Sequence, residues 1–192
     1  MGTSLVQHLW QQLIARLTTN MYMAPLLQPQ PAGFVDHQFE LVVEVPHPVA
    51  SVWQWLNTPE TFTDTQVPPY KVEFYSPNEA TIPNGFHEGV LNIHHGPFLC
   101  FAGVLTTIQP ETYRDLQYYY GSYAFSLRWV RPYRLQFWVT ELEPGKTQVK
   151  LAVSSWVKPW THKLWSRLQR LFWGRFKGWM TRSVKKLPAV AA

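Results

Sequence analysis

The sequence is poor in cysteine and lacks any long apolar run. Cys100 is the single cysteine among 192 residues, so an internal disulfide is excluded and a reducing compartment is expected. No run approaches the roughly 20 apolar residues that a membrane-spanning helix needs. We therefore predict a cytoplasmic protein whose contact with a membrane, if it has one, is peripheral.

Acidic residues are absent from the last quarter of the chain. Residues 144–192 contain no Asp or Glu, but they hold 11 of the 17 Lys and Arg and 5 of the 10 Trp. Residues 1–143 carry the other 6 basic and all 12 acidic groups, a net charge of −6. Such an asymmetry indicates an anionic partner for the C-terminal region.

The composition excludes a disordered chain. Hydrophobic residues make up 46% of the sequence and charged residues only 15%, which is enough apolar material for one buried core. Aromatic residues reach 16%, so either the core is unusually aromatic or a cavity is lined by rings. Neither alternative is decided by composition.

The chain is predicted to divide into four parts. Leu5, Leu9, Leu13 and Leu17 recur at every fourth position, which predicts an amphipathic helix. The parts are this helix in residues 1–20, a proline-rich linker in residues 21–35, one folded domain in residues 36–187 and a tail in residues 188–192.

Alternating apolar and polar residues dominate the domain. Residues 39–45 predict a half-buried strand, and apolar residues at helical spacing predict a short helix over 49–57. Thr58 and Pro59 predict the cap and first position of a second short helix. Further strands are predicted at 70–76, 86–95, 98–108, 113–120, 123–130, 133–143 and 146–157, two of which form one bent strand in an alternative interpretation. Short turns between them favour an antiparallel meander.

A long C-terminal helix, residues 160–187, is predicted to cover one face of that sheet. A helical wheel gives it a broad apolar face and a basic face. The apolar face is predicted to hold Trp160, Leu164, Trp165, Leu168, Leu171, Phe172, Phe176 and Trp179. Trp173, Met180 and Val184 fall at the edge of this face or beyond it.

This order of elements resembles the helix-grip fold of the SRPBCC superfamily, which includes START lipid-transfer domains, birch-pollen-allergen-like proteins and polyketide cyclases. The resemblance is carried by residues 42–56, with their strand, proline turn and Val52-Trp53 pair, by the last hairpin at 145–151, and by the C-terminal helix. It implies an α+β fold in which a curved antiparallel sheet of 6–7 strands wraps around the long helix. It also implies a cavity for an apolar or amphipathic ligand.

Candidate ligand-binding residues follow from strand parity and from the expected cavity. Tyr118 and Tyr120 share a face with Leu116 and are predicted to point inward, where tyrosine hydroxyls supply polar points. His94 and His95 are predicted at the cavity mouth. The predicted lining comprises Trp53, Leu91, Ile93, Phe101, Leu116, Tyr118, Tyr120, Phe137, Val149, Leu151, Leu164 and Leu168. The alternative for these aromatic residues is ordinary cross-strand packing.

The basic face of the C-terminal helix is predicted to contact an anionic membrane. Tryptophan beside lysine and arginine at an apolar–polar boundary is typical of interfacial helices. The predicted contact residues are Lys163, Arg167, Arg170, Trp173 and Lys177. A solvated basic face is the plain alternative, and nucleic acid is disfavoured because no RNA-binding signature is present.

Catalytic and metal sites have little support in the sequence. An acid–base set of His94, Asp115, Tyr118 and Arg128 can be assembled, but no spacing places the four together. His87 and His95 stand too far apart along a strand for one coordination sphere. No catalytic residue, metal or cofactor is predicted.

The sequence therefore favours a protein that binds or carries a hydrophobic small molecule, such as a lipid, quinone or isoprenoid, and touches membranes through its C-terminal region. One alternative is a small cyclase or dehydratase acting on an aromatic or polyketide-like substrate. The other is an interaction module whose cavity is filled by side chains. Ligand identity and oligomeric state are left open.

Overall fold

A computed structural model of the protein describes residues 29–63, 71–76, 82, 85–96, 99–123 and 128–187. Side chains at 99–101 and 120–123 are outside the description. The predicted N-terminal helix, the linker up to residue 28 and the tail at 188–192 also lie outside it.

Seven strands, four α-helices and one 3-10 turn make up the described part of the chain. The strands are β1 (Val35–Val45), β2 (Lys71–Tyr75), β3 (Leu91–His95), β4 (Leu99–Gln109), β5 (Tyr113–Tyr123), β6 (Val130–Glu143) and β7 (Lys146–Val157). The helices are α1 (Val49–Asn57), α2 (Pro59–Thr63), α3 (His162–Trp173) and α4 (Phe176–Val184), and the 3-10 turn is Pro159–Thr161.

The strands form one curved antiparallel sheet in the order β1-β7-β6-β5-β4-β3-β2. This order confirms the predicted meander, because neighbours in the sequence are neighbours in the sheet except where β1 closes against β7. Register shifts interrupt β4–β5 after Ala102 and after Leu105, and β6–β7 after Pro132 and after Glu141. Such bulges bend strands and increase their twist, which suits a sheet that curves around a helix.

The two short helices after β1 confirm the prediction. Val52, Trp55 and Leu56 of α1 are fully buried, as their helical spacing requires. Thr58 does not use its hydroxyl to cap α2. The hydroxyl donates instead to the carbonyl of Gln54, 2.7 Å away, and so serves the last turn of α1.

The concave face of the sheet, here called the inner face, carries the core. Alternate residues of the strands, such as Val43, Val149 and Phe137, are buried there against α1 and the C-terminal helices. An aromatic cluster fills the end of this face next to α1 and α2. Its rings lie 4.5–6.1 Å apart and belong to Trp55, Phe62, Phe74, Phe86, Phe137, Trp173, Phe176 and Trp179.

Two predicted strands are wrong in extent. Residues 86–90 precede β3 as a loop with Gly89 at a φ of 90°, a backbone conformation outside any strand. Arg128 and Trp129 form a turn before β6, so the predicted strand at 123–130 does not extend over them. β5 continues to Tyr123, three residues beyond the predicted end at 120.

The C-terminal helix forms over the predicted region, but in two segments separated at Gly174 and Arg175. Its buried line runs through Trp165, Gln169, Trp173, Phe176, Met180 and Val184. The predicted edge positions Trp173, Met180 and Val184 are therefore core residues. Trp160, Leu164, Leu171 and Phe172, assigned to the core by the wheel, are 46–67% exposed. The helical wheel assigned these residues wrongly because the buried residues mostly recur at every fourth position. Four residues turn through about 400°, so the buried line moves about 40° around the helix at each step.

Candidate functional site

Side-chain contacts fix how α3 is turned over the sheet. Ser166 lies 2.8 Å from His37 of the edge strand β1, whereas Trp165 donates to Ser155 of β7 and packs on Val130 of β6. Successive residues on a helix are about 100° apart. The direction around α3 from Ser166 to Trp165 therefore leads from the β1 side towards β6. Leu168 lies about 60° further around the helix in the same direction.

An apolar stripe on α3 consequently lies on the side of the helix that is turned away from β1. The stripe, defined as Trp160, Leu164, Leu168, Leu171 and Phe172, begins where the Trp160 ring meets that of Trp129, 5.3 Å away before β6. Trp160, Leu171 and Phe172 are 65–67% exposed and Leu164 is 46% exposed. The family resemblance implies a cavity between sheet and C-terminal helix, so we take the region bounded by this stripe and the inner face of β3–β5, here called the chamber, as the candidate binding site.

The floor of the chamber is a cross-strand row on the inner face. The register places Asn92 of β3 beside Gly103 of β4, and Gly103 beside Tyr118 of β5. A Cβ on Gly103 would lie 2.8 Å from Cδ1 of Tyr118, so the tyrosine ring crosses the space that a side chain would fill. Tyr118 is 1% exposed, as expected for the predicted inward-facing residue. Asn92 is 2% exposed, and its Oδ1 has no hydrogen-bond partner in the described part of the protein.

His94 extends this floor towards the loop between β3 and β4. It is opposed by Val72 and Phe101 in the sheet register, which places it on the same face as Asn92. Burial, with a smaller contribution from neighbouring His95, lowers the pKa of His94 to about 3. The imidazole is therefore neutral at physiological pH, which indicates a weakly polar environment. His95 faces the opposite side, 3.3 Å from Glu73, so only one of the two predicted mouth histidines reaches the chamber side.

Arg114 is a buried charged residue on the inner face of β5. Its guanidinium carbon lies 5.0 Å from the ring centroid of Phe137, 5.3 Å from that of Phe86 and 5.5 Å from that of Phe62. It donates a hydrogen bond to the carbonyl of Leu56 at the end of α1. Burial lowers the pKa of Arg114 to about 10, so it stays protonated at neutral pH. The strand parity that predicted Tyr118 inward also applies to Arg114, four residues earlier, and this signal was overlooked.

Asp115 and Arg134 pair on the opposite, convex face. Two hydrogen bonds of 2.9 Å join the guanidinium of Arg134 to the carboxylate of Asp115, which is 1% exposed. This pairing removes Asp115 from the chamber. Arg128 is exposed in the turn before β6. The acid–base set of His94, Asp115, Tyr118 and Arg128 is therefore split across the sheet.

The remaining predicted lining residues fall into four groups. Buried in the core between sheet and helices are Trp53, Leu116, Phe137, Val149 and Leu151. Leu164 and Leu168 lie in the apolar stripe. Leu91 and Ile93 are wrong as lining residues, since they oppose Val104 and Ala102 and alternate with inward-facing Asn92. A one-residue error in parity moves every side chain of a strand to the other face. Phe101 and Tyr120 lie in β4 and β5, and their side chains are outside the description.

The predicted membrane-contact residues divide in the same way. Lys163, Arg167 and Arg170 of α3 are exposed and form a basic ridge directly beside the apolar stripe. Lys177 of α4 is exposed as well. Trp173 is wrong as a surface contact, because it is 8% exposed and its Nε1 donates to Gln169, 2.8 Å away.

A second concave surface lies at the end of the sheet opposite the β5–β6 connection. It is an open groove of about 710 Å³ lined by Val49, Gln109, Glu111, Thr112, Tyr113, Trp138, Val139, Thr140 and Glu141. Its aromatic floor is the Tyr113–Trp138 pair, whose ring centroids are 5.4 Å apart. None of the predicted site residues borders this groove, and it is separate from the chamber.

Within the described ranges, no helix combines the length and apolar character that crossing a bilayer would require. No group of three or more His, Cys, Asp or Glu in those ranges is arranged to hold a metal ion.

Solved structures with the same architecture place this fold among known ones. Norcoclaurine synthase from Thalictrum flavum, solved with dopamine and hydroxybenzaldehyde, superposes with a TM-score of 0.63 at 15% identity over 85% of this chain and 97% of its own. The Zhui aromatase/cyclase from Streptomyces sp. R1128 gives 0.59 at 12% identity, covering 79% of this chain and 95% of its own. A START superfamily protein from Mycobacterium smegmatis gives 0.59 at 14% identity, covering 79% and 99% respectively.

No protein-family model and no curated protein sequence matches the chain. At 12–15% identity these likenesses concern the fold alone. Together with the strand order, the two short helices after β1 and the C-terminal helix, they establish that this chain adopts the helix-grip fold.

Proposed function

We propose that the protein binds a hydrophobic small molecule in the chamber and exchanges it at an anionic membrane surface. The lipid, quinone and isoprenoid classes all suit such a site. The observation that carries this proposal is the apolar stripe of α3, in which Trp160, Leu171 and Phe172 are 65–67% exposed. A location at the cytoplasmic face of a membrane, in peripheral contact with it, goes with this function.

The size of the exposed stripe argues for an apolar occupant. Full burial of a leucine or phenylalanine side chain is worth about 1.5–3 kcal/mol. Leu164, Leu171 and Phe172 are each about half exposed or more, so covering them would contribute about 1 kcal/mol or more apiece. A ligand that occupies the chamber gains this energy together with the burial of its own surface.

The basic ridge supports the membrane part of the proposal. Lys163, Arg167 and Arg170 adjoin the stripe on the same helix, so a bilayer attracted by the ridge meets the apolar stripe as well. Each basic group held close to an anionic leaflet adds about 1 kcal/mol of attraction. No acidic residue follows Glu143 to oppose this attraction.

A cyclase-type enzyme is the second candidate. Two of the structurally similar proteins are a synthase and an aromatase/cyclase, and Tyr118, His94 and Arg114 supply polar groups on the inner face. Against this candidate, Asp115 is paired on the convex face, and Glu141, which has inward parity on β6, is exposed and borders the separate groove. An interaction module with a filled cavity is the third candidate, favoured by the aromatic cluster near α1 and α2.

Vesicle flotation tests the proposed function. Wild-type protein is mixed with vesicles of phosphatidylcholine alone or of phosphatidylcholine with about 30% phosphatidylserine. The second composition has a strongly negative surface potential. We expect binding to the anionic vesicles only, and weaker binding as salt is raised. K163Q/R167Q and L171S/F172S should each reduce binding about tenfold or more, from two charges or two apolar contacts.

Matched variants exclude nonspecific effects in this experiment. K185Q/K186Q removes two exposed charges beyond α4, and L142S removes an apolar side chain that is 44% exposed near the β6–β7 hairpin. Neither control should change binding by more than about twofold, because neither alters the stripe or the ridge. Equal losses in the controls and the α3 variants would contradict a membrane contact through α3.

A further inference from the structure

Arg114 is a buried cation without a matching anion. It is 5% exposed, and its only hydrogen bond within the described structure goes to the neutral carbonyl of Leu56. Its Nε is buried and has no hydrogen-bond partner there. Taking a guanidinium out of water is costly unless its N–H groups are satisfied and its charge is balanced.

The contrast with the convex face sharpens this observation. On the same strand, Asp115 faces outward and receives two hydrogen bonds from Arg134. The carboxylate that follows Arg114 in sequence is thus committed to the other face of the sheet. The aromatic rings around Arg114 and the end of α1 stabilise its positive charge in part, but neither supplies an anionic acceptor.

The position of Arg114 connects it to the chamber. Arg114, Leu116 and Tyr118 are successive residues on the inner face of β5. Tyr118 belongs to the chamber floor. An acidic head group that passes Tyr118 would meet the Nε edge of Arg114 at the aromatic end of the inner face.

We propose that Arg114 anchors the acidic head group of the ligand, so that the chamber selects amphipathic molecules with a carboxylate or a similar anionic oxygen over their neutral analogues. This inference rests on the proposed binding function and names its ligand class. Charge-assisted hydrogen bonds from guanidinium to carboxylate are stronger than those between neutral groups. Because the site is buried, little water would screen the attraction between the guanidinium and the anion.

Two probes that differ only at the head group test the anchor. The fluorescent polyene fatty acid cis-parinaric acid and its methyl ester are titrated into the full chain at pH 7.4, with tryptophan-to-probe energy transfer as the readout. Wild-type protein should bind the acid about tenfold or more tightly than the ester. R114M should keep the affinity for the ester and lose most of the preference, and R114K should restore part of it.

The outcomes separate the anchor from the binding function. If wild-type protein binds acid and ester equally, the anchor is overturned and the hydrophobic chamber stands. If neither probe binds, the proposed function fails and the anchor fails with it. K150M removes a cation from the convex face, where its partner Glu40 is itself exposed, and should keep the preference, so a loss of preference there would also overturn the assignment to Arg114. The wild-type ratio decides the question even if R114M does not fold.

Discussion

Acid should destabilise this protein through His94. The pKa of His94 is lowered from 6.5 to about 3 by burial, so the folded state resists protonation over a range in which the unfolded chain takes up a proton freely. The contribution of neutral His94 to stability is therefore complete above pH 6.5 and is lost as the pH falls from there towards 3. His37 acts in the same direction, since burial and neighbouring His162 lower its pKa as well.

The magnitude at pH 5 follows from this pair of pKa values. With a pKa of 6.5 in the unfolded chain and about 3 in the fold, His94 is protonated at pH 5 only after unfolding. This lowers the free energy of unfolding at pH 5 by about 2 kcal/mol. Because His94 is only partly buried by surface area, solvent screening reduces this to about 1 kcal/mol. Carboxylates and His37 contribute as well, so the effect is measured as a difference between wild type and a His94 variant.

Urea unfolding of wild type and H94Q at pH 7.5, 6 and 5 checks the prediction. Wild type should lose about 1 kcal/mol more unfolding free energy than H94Q over this range. H95Q serves as the control from the same strand, since His95 faces the exposed side near Glu73. A difference between wild type and H94Q that does not change with pH would refute the argument, because it would mean that His94 titrates alike in both states.

Four further substitutions have distinct expected results in urea unfolding or in probe binding. G103V should destabilise the fold by about 2 kcal/mol or more, because its Cβ would lie 2.6 Å from the carbonyl oxygen of Gln117, and an unchanged midpoint would contradict the packing described. D115N should cost about 3 kcal/mol by breaking the buried pair with Arg134 and should leave the acid preference of probe binding intact. W173A should cost about 3–5 kcal/mol, whereas F172A, its exposed neighbour, should change stability by less than about 1 kcal/mol, and similar losses would contradict the assigned burial.

The architecture could be predicted from the sequence because each element has a local cause. Alternation along 39–45, helical spacing over 49–57 and short turns after the later strands all act within a few residues. The curvature and the fold then follow from their order. The break at Gly174 and Arg175 has a local signal in the glycine, which weakens a helix.

The candidate site was predicted less well because it depends on parity and on long-range packing. Leu91 and Ile93 were placed on the wrong face, since β3 starts only after the turn at Gly89 and no local signal fixes which of its residues face inward. The exposed stripe was missed because a wheel shows which residues cluster and not which cluster the sheet covers. The Asp115–Arg134 pair joins residues 19 apart and depends on the register of β5 with β6.

The aromatic content offered two alternatives, and the structure contains both features in part. The cluster around Trp55 and Phe176 fills the end of the inner face near α1 and α2 with rings 5.8 Å apart. Near the β5–β6 connection, the stripe of α3 remains exposed. The rings thus fill one end of the concave face, and lining at the other end remains part of the proposed function.

Native mass spectrometry of the full chain, purified from its own host, tests the central claim most directly. The account predicts a one-to-one adduct that is released on denaturation and is identified by extraction as an apolar molecule with an acidic head. A bare mass that gains no adduct when parinaric acid, its methyl ester or a lipid extract is added would contradict the claim that the chamber binds a hydrophobic ligand.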